Sequence, residues 1–465
     1  MADFDLVVIG AGPAGYVAAI RAAQLGMKTA VIERDRAGGI CLNWGCIPTK
    51  ALLKSAEMLE HIRHAKDWGI VLPGEPKADV KAMVKRSRDI AARLEKGVEY
   101  LFRKNKIEHL RGTARLTKAT RLDVTLADGK KRTIEAGRVL LATGGRPRLI
   151  PGLEADGKKV LTSKEAMLLE HAPRSVVIVG GGAIGCEFAT YWQAIGAKVT
   201  IVEMMSHLVP VEDEEVSKEL ERAFKARGIE VLLETAFKST KATKDGVSVE
   251  VAAKDGKTRT LDAEIVLAAI GVRGNVEDLG LEDLKVEVVK SFVKVGAGFE
   301  TSAKGLYAVG DVIGPPLLAH KGSAEGIACV EAMAGKGHGT VDYNQVPGGT
   351  FSTPSVGSIG LTEAAARAKG FDVKVGRFPF RALGRAIAVG EEEGFVKIVT
   401  SAKRGEILGC HIVGYGATDL IAEVAVAMRC EGTVHELHET IHAHPTFPEA
   451  IMEAALDAVG RAIHI

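Results

Sequence analysis

The sequence predicts an α/β chain with two Rossmann-like dinucleotide-binding domains followed by an α+β C-terminal domain, and three features of its 465 residues carry that prediction. Residues 4–33, FDLVVIGAGPAGYVAAIRAAQLGMKTAVIE, run as an apolar strand, a G-x-G-x-x-G turn, a helical stretch, a second apolar strand and a terminal acid. Residues 174–203, RSVVIVGGGAIGCEFATYWQAIGAKVTIVE, repeat the unit, and the spacing is the same: Gly10 to Glu33 and Gly180 to Glu203 are each 23 residues. From about residue 344 the pattern changes to antiparallel strands (GFVKIVTSAKRGEILGCHIVG) and helices (TDLIAEVAVAMRCEG and PEAIMEAALDAVG). The chain accordingly divides into units 1–146, 147–272, 273–343 and 344–465.

Each element of the repeated unit has a chemical reason. The first glycine, Gly10 or Gly180, permits the tight strand-to-helix turn. The second, Gly12 or Gly182, lets backbone approach a pyrophosphate, and the third, Gly15 or Gly185, lets helix and strand pack closely. The helix N-terminus then offers free N–H groups and partial positive charge to phosphate. Glu33 and Glu203, ending the second strands, suit ribose hydroxyls. After Glu203 the chain reads MMSHLVP, with no arginine for a 2′-phosphate, so the second unit should take NAD in preference to NADP. A lone glycine motif is weak evidence; strand, helix and acid in place twice are strong.

The intervening segments read coarsely. KKRTIEAGRVLLA (130–142) and RTLDAEIVLAAI (259–270) end in apolar strands that close the two nucleotide units. DVTLADGKKRTI and VSVEVAAKDGKTRTL resemble hairpins around Asp-Gly turns. Residues 215–228 form a charged helix, and 73–77 a Pro/Gly-containing loop. The net charge of +2, from 61 basic and 59 acidic residues, makes no case for nucleic acid or an anionic membrane. MADFDLVVIGAG enters a strand directly and does not read as a signal peptide, and no run of about 18 apolar residues exists to span a bilayer. A soluble, cytoplasmic protein is expected.

Six cysteines stand at 41, 46, 186, 329, 410 and 430, too scattered for a disulfide framework. The last four read as small buried apolar residues. Cys41 and Cys46 share the stretch GGICLNWGCIPTK, in one loop after the Glu33 strand. Zinc would want a second cysteine pair, which is absent, so no metal is expected. A structural disulfide across so short a loop removes little chain entropy. A redox pair fits better, with inert buried thiols as the alternative. Gly38, Gly39 and Gly45 allow backbone near a flat cofactor, Pro48 suits a helix start, and Lys50 supplies a cation that favours a thiolate.

GGICLNWGCIPTK resembles the redox motif of the class I pyridine nucleotide–disulfide oxidoreductases. The likeness extends through GAGPAG at the start, LLATGGRP (140–147), GGGAIGCE (180–187), YAVGD (307–311) and HAHPTFPE (442–449), in family order. It implies FAD in the first unit, NAD in the second, a central 273–343 unit completing the FAD site, and a C-terminal dimerisation domain. Ala114, Thr143, Gly144, Asp311 and Ala319 would be further FAD contacts, and Phe237 and Gly271 further NAD contacts. Cys46 would be the thiol nearest the flavin, and Cys41 the interchange thiol facing substrate. Lys50 would lie near flavin N5 with Glu187 as its ion partner, and His444, oriented by Glu449, would be the base. That histidine would reach the disulfide of the opposite subunit, so a homodimer with a shared active site is implied. HAHPT, LLAHKGSAEG and Glu203 resemble the lipoamide-linked branch. The branch implies oxidation of protein-bound dihydrolipoamide by NAD⁺, beside the acyltransferase core of a 2-oxoacid dehydrogenase complex or a lipoylated glycine cleavage carrier. An NAD(P)H-dependent reductase of another small disulfide is the alternative activity, and a flavoprotein serving mainly as a binding subunit the alternative class. GVRGN, STPSVGSIG and HPTFPE depart from the commoner family wording.

Overall fold

The computed structural model describes residues 2–465. Strand β1 (Phe4–Ile9) is flanked by β2 (Thr29–Glu33) on one side and by β5 (Lys131–Leu141) on the other, all parallel. Beyond β2 lies β3 (Glu108–Lys118), and beyond β5 lies the three-residue strand Leu306–Ala308, again parallel. The far halves of β3 and β5 join β4 (Arg121–Leu126) in an antiparallel hairpin layer. Runs such as LVVI are buried on both faces, as a covered parallel sheet requires.

The second unit repeats this order. Ser175–Val179 lies between Lys198–Val202 and Ile265–Ala268, with Glu230–Leu232 and Val160–Leu161 at the edges, all parallel. The expected hairpin follows as Val247–Ala253 paired antiparallel with Thr258–Ala263 around Asp255-Gly256. The second unit is thus inserted between β5 and the final strand of the first sheet. The charged helix covers Glu214–Ala226.

The C-terminal unit is a five-stranded antiparallel sheet ordered 348–350, 355–360, 407–414, 394–401, 373–379. Helices Ala417–Arg429 and Glu449–Ala458 pack on it through Ile421, Val424, Ile451 and Ala454. It is joined to the second unit by a buried charge cluster. Lys397, 2% exposed, sends its Nζ to Asp213 Oδ1 (2.9 Å), Glu215 Oε1 (2.7 Å) and Glu363 Oε2 (2.9 Å).

Two expectations need correction. Cys186, Cys329 and Cys410 are buried, but Cys430 is exposed, because it caps the solvent-facing end of helix Ala417–Arg429. The cysteine pair lies not in a loop but on two helices, Gly39–Trp44 and Cys46–Arg63, broken at Gly45. The 18-residue helix 46–63 buries Leu52, Leu53 and Ala56 against Phe188 and Trp192 of the second unit's helix Ala183–Ala194. Each fully buried leucine of that kind contributes on the order of 1.5–3 kcal/mol. The second cysteine is thereby held at the seam between the two nucleotide units.

Candidate active site

Both glycine turns are built as their motif requires. Gly10 (φ +104°) and Gly180 (φ +110°) adopt left-handed backbone, and a Cβ there would meet Ala142 O at 2.3 Å or Ala269 O at 2.4 Å. A Cβ on Gly15 or Gly185 would strike the carbonyl of Gly10 at 1.9 Å or of Gly180 at 2.0 Å. Helices begin directly after Gly12 and Gly182 with no side-chain cap, leaving their first N–H groups available to an anion. The two acids behave alike. Glu33 Oε2 accepts from the Ala11 amide (2.8 Å) and Oε1 from Asp35 (2.8 Å), while Glu203 Oε2 accepts from Gly181 (2.6 Å) and Oε1 from Met205 (2.7 Å). Each carboxylate ties its strand end to the glycine turn and keeps lone pairs for a ribose.

Around the first turn a cleft of about 630 Å³ is lined by Gly10, Glu33, Ala114 and Thr143 together. Thr143 Oγ1 donates to Asn275 O (2.8 Å), and Asn275 Nδ2 donates back to Thr143 O (2.8 Å), so the segment carrying Gly144 (φ +67°) is clamped from the central unit. Asp311 sits in the turn Gly310–Ile313. Burial raises its carboxyl above the ordinary range against the opposing field of Lys321. Lys321 and Glu325, both fully buried, bracket that turn through Gly310 N–H, Gly310 O and Gly314 O. Ala319 is the first residue of the helix bearing them. A Cβ at Gly39 (φ +58°) would lie 2.6 Å from Gly12 Cα, so the redox helix touches the phosphate turn backbone to backbone. These cradles fit a dinucleotide. In the second unit Gly271 (φ +111°) follows the strand closing the sheet, and its carbonyl accepts from Arg148 N–H. Phe237 packs its ring partly into the hydrophobic cluster with Leu153 and Val202.

Between the units stand the two thiols, unbonded in this structure. Cys46 is the first residue of its helix, where the macrodipole favours an anion. A hydrogen bond donated by Cys41 lowers the Cys46 thiol below its ordinary value; burial and Glu187 oppose this, and Lys50 reinforces it. Cys41 is pushed up, because it keeps the shared proton and is buried. Of the two thiols Cys46 is therefore the more easily ionised. Lys50, one turn along the helix, reaches Glu187 Oε1 at 2.7 Å and Oε2 at 2.8 Å.

At the other end of the chain His444 Nδ1 meets Glu449 Oε1 at 2.8 Å, and Thr446 N–H holds Glu449 Oε2 at 2.7 Å. Within the chain His444 is 77% exposed and makes no hydrogen bond to Cys41 among the described residues. His442, by contrast, is half-buried, its side chain turned to Glu423 at 2.7 Å. Two neighbours of the centre escaped the sequence reading: Tyr16, whose phenol is raised by burial and by its nearness to the Cys41 thiol, and Phe351, whose amide donates to Glu187 Oε1 at 3.0 Å.

Residues 4–326 match the pyridine nucleotide-disulphide oxidoreductase model, and residues 346–455 match its dimerisation domain. The chain is 46% identical to the dihydrolipoyl dehydrogenase of Rhizobium etli across 99% of each chain, and 43% identical to that of Bacillus subtilis, also across 99% of each. The crystal structure of LpdA from Mycobacterium tuberculosis superposes with a TM-score of 0.89 at 29% identity, covering 97% of this chain and 98% of that one. Among the described residues no helix is long and apolar enough to cross a membrane. Motifs, geometry and likeness agree, and the chain belongs to the pyridine nucleotide-disulphide oxidoreductase family.

Proposed function

We propose that this protein is a dihydrolipoyl dehydrogenase, oxidising protein-bound dihydrolipoamide to lipoamide with NAD⁺ as acceptor. The observation that carries the reading is the asymmetric thiol pair: Cys46 begins a helix beside the Lys50–Glu187 pair and its thiol is lowered, while that of Cys41 is raised. In the oxidised enzyme a substrate thiolate attacks Cys41 Sγ, the Cys41–Cys46 bond breaks, and Cys46 leaves as a thiolate stabilised by its helix and Lys50. The second substrate thiol then displaces Cys41 from the mixed disulfide, closing lipoamide. His444 takes the proton each attacking thiol must lose, with Glu449 fixing the imidazole so that Nε2 faces the reaction.

FAD, held by Gly10, Gly12, Gly15, Glu33, Ala114, Thr143, Gly144, Asp311 and Ala319, would accept the electron pair of the dithiol and pass it as hydride to NAD⁺. The second unit holds NAD through Gly180, Gly182, Gly185, Glu203 and Gly271, with backbone near Phe237 as a further contact. Glu203, without an arginine beside it, disfavours a 2′-phosphate.

The working form is a homodimer in which His444 of one chain serves the thiols of the other; its exposure on the unit matching the dimerisation model supports this. The partner in the cell is a lipoylated protein of a 2-oxoacid dehydrogenase or glycine cleavage system, and the place is the cytoplasm, whose reducing poise suits free thiols. Stopped-flow spectroscopy tests the reading. Dihydrolipoamide with NAD⁺ should turn over rapidly; failure to do so, alongside fast NADPH-driven reduction of glutathione, would overturn it.

A further inference from the structure

Phe351 follows strand Gly348–Thr350 of the C-terminal unit and arrives at the redox centre across the seam with the second unit. Three contacts place it. Its N–H donates to Glu187 Oε1 at 3.0 Å. Its ring lies under the Lys50 ammonium, 4.5 Å from Nζ to centroid. Two residues on, Thr353 N–H donates to Thr190 Oγ1 at 3.3 Å, one turn beyond Glu187 on the same helix. The backbone of the segment is thus registered on helix Ala183–Ala194 at two points, which sets the Cα from which the ring reaches Lys50.

Lys50 consequently has its ammonium fixed from two directions, by both oxygens of a carboxylate that is itself 5% exposed and by an aromatic face. Lys50 and Cys46 share one face of their helix at i, i+4 spacing. We propose that Phe351 is a positioning residue of the redox centre, its ring and backbone amide holding the Lys50–Glu187 pair in place beside Cys46. Without the ring, Lys50 gains rotamer freedom and its field on the thiol falls, while Glu187 keeps its amide partner. The C-terminal unit would then govern the thiol from inside the same chain, apart from any part it plays in pairing two chains.

The proposal rests on the reading of Cys46 as a redox thiol, and its test is a titration that does not depend on turnover. The charged and titratable groups facing Cys46 are Cys41, Lys50 and Glu187, with Asp311 and Tyr16 against Cys41. In reduced, FAD-loaded protein carrying Cys41→Ser, the alkylation rate of the Cys46 peptide is followed by mass spectrometry against pH. Adding Phe351→Leu should move the midpoint upward and slow alkylation near neutral pH about two- to fivefold, the range expected for an exposed to half-buried cation–π contact. Phe351→Tyr, which keeps the ring, should titrate as the parent does. A Leu variant indistinguishable from the parent, or a Tyr variant as displaced as the Leu variant, would overturn the proposal. If Phe351→Leu does not fold, Phe351→Trp carries the test: a stronger π face should lower the midpoint, and an unchanged midpoint would overturn it. Absence of dihydrolipoamide turnover in the unmodified enzyme would strike the proposed activity and leave this titration intact.

Discussion

Replacing Lys397 by methionine should destabilise the join between the second unit and the C-terminal sheet in a pH-dependent way. Lys397 is 2% exposed and Asp213 3%, and the ammonium touches three carboxylates. Breaking a buried pair from one side costs about 3–5 kcal/mol. Here the lower end applies, because Arg377 still holds Glu215 at 2.6 Å and Glu363 at 3.4 Å, so the orphaned charge is mainly Asp213. A deficit of about 3 kcal/mol at pH 7 is expected, read from urea unfolding midpoints. The sign follows from the carboxylates. Burial pushes Asp213 up, but Lys397, with His411 and the Glu215 amide, together more than offset it and leave it below its ordinary value; the hydrogen bond from Arg377, with help from Lys397, holds Glu215 down at about 2. Groups depressed in the folded state stabilise it above their unfolded values, and that share is lost as pH falls through the folded ones. The parent should therefore be flat from these groups between pH 7 and 5 and weaken only below. In the Met variant Asp213 loses its main counter-charge, rises with burial, and takes up a proton on folding, so the deficit should narrow from pH 7 to 4.5. Adding Asp213→Asn should recover most of the loss. A deficit independent of pH, or no recovery with Asn, would refute the charge argument and leave packing as the cause.

Other perturbations bear on the centre itself. His444→Gln should cut dihydrolipoamide turnover by about 10²–10⁴-fold without loss of bound flavin, and Glu449→Gln should act in the same direction but less, measured by steady-state assay and flavin absorbance. Gly39→Ala should release flavin on gel filtration, since its Cβ would sit 2.6 Å from Gly12 Cα at φ +58°. Gly26→Ala, at φ +88° but with nothing within 4 Å, should cost only about 1 kcal/mol of backbone strain and retain flavin. Glu203→Ala should raise the KM for NADH and NAD⁺ while leaving FAD absorbance unchanged, because its carboxylate organises only the second glycine turn.

What the chain disclosed in advance follows from where its chemistry is local. A glycine turn, its helix and its acid lie within 30 residues, and their roles restrict residue type at each position, so both βαβ units could be read directly. The Asp-Gly hairpins were legible for the same reason. The break at Gly45 was not, since a helix boundary inside GGICLNWGCIPTK depends on how Gly39 backs onto Gly12. Strand Leu306–Ala308 carries too few residues for any periodicity, and it finds the first sheet only after the whole second unit has intervened. Phe351 left no signal at all: its partner is 164 residues away, and the donor is a backbone amide that any residue except proline supplies.

The C-terminal unit therefore meets the redox chemistry from two sides that sequence alone presents as one. Through Phe351 it touches Lys50 and Glu187 of its own chain. Through His444 it presents a base outward. With Glu449 accepting from Nδ1–H, the free lone pair is on Nε2, and 77% of that side chain lies open. This oriented base makes no hydrogen bond to Cys41 of its own chain among the described residues. Cys41, half-buried and with its thiol pushed up by the hydrogen bond to Cys46 and by burial, is the thiol that needs a base. In the proposed homodimer a two-fold axis would bring this base of one chain to the thiol pair of the other, which is the arrangement that the His444→Gln assay tests.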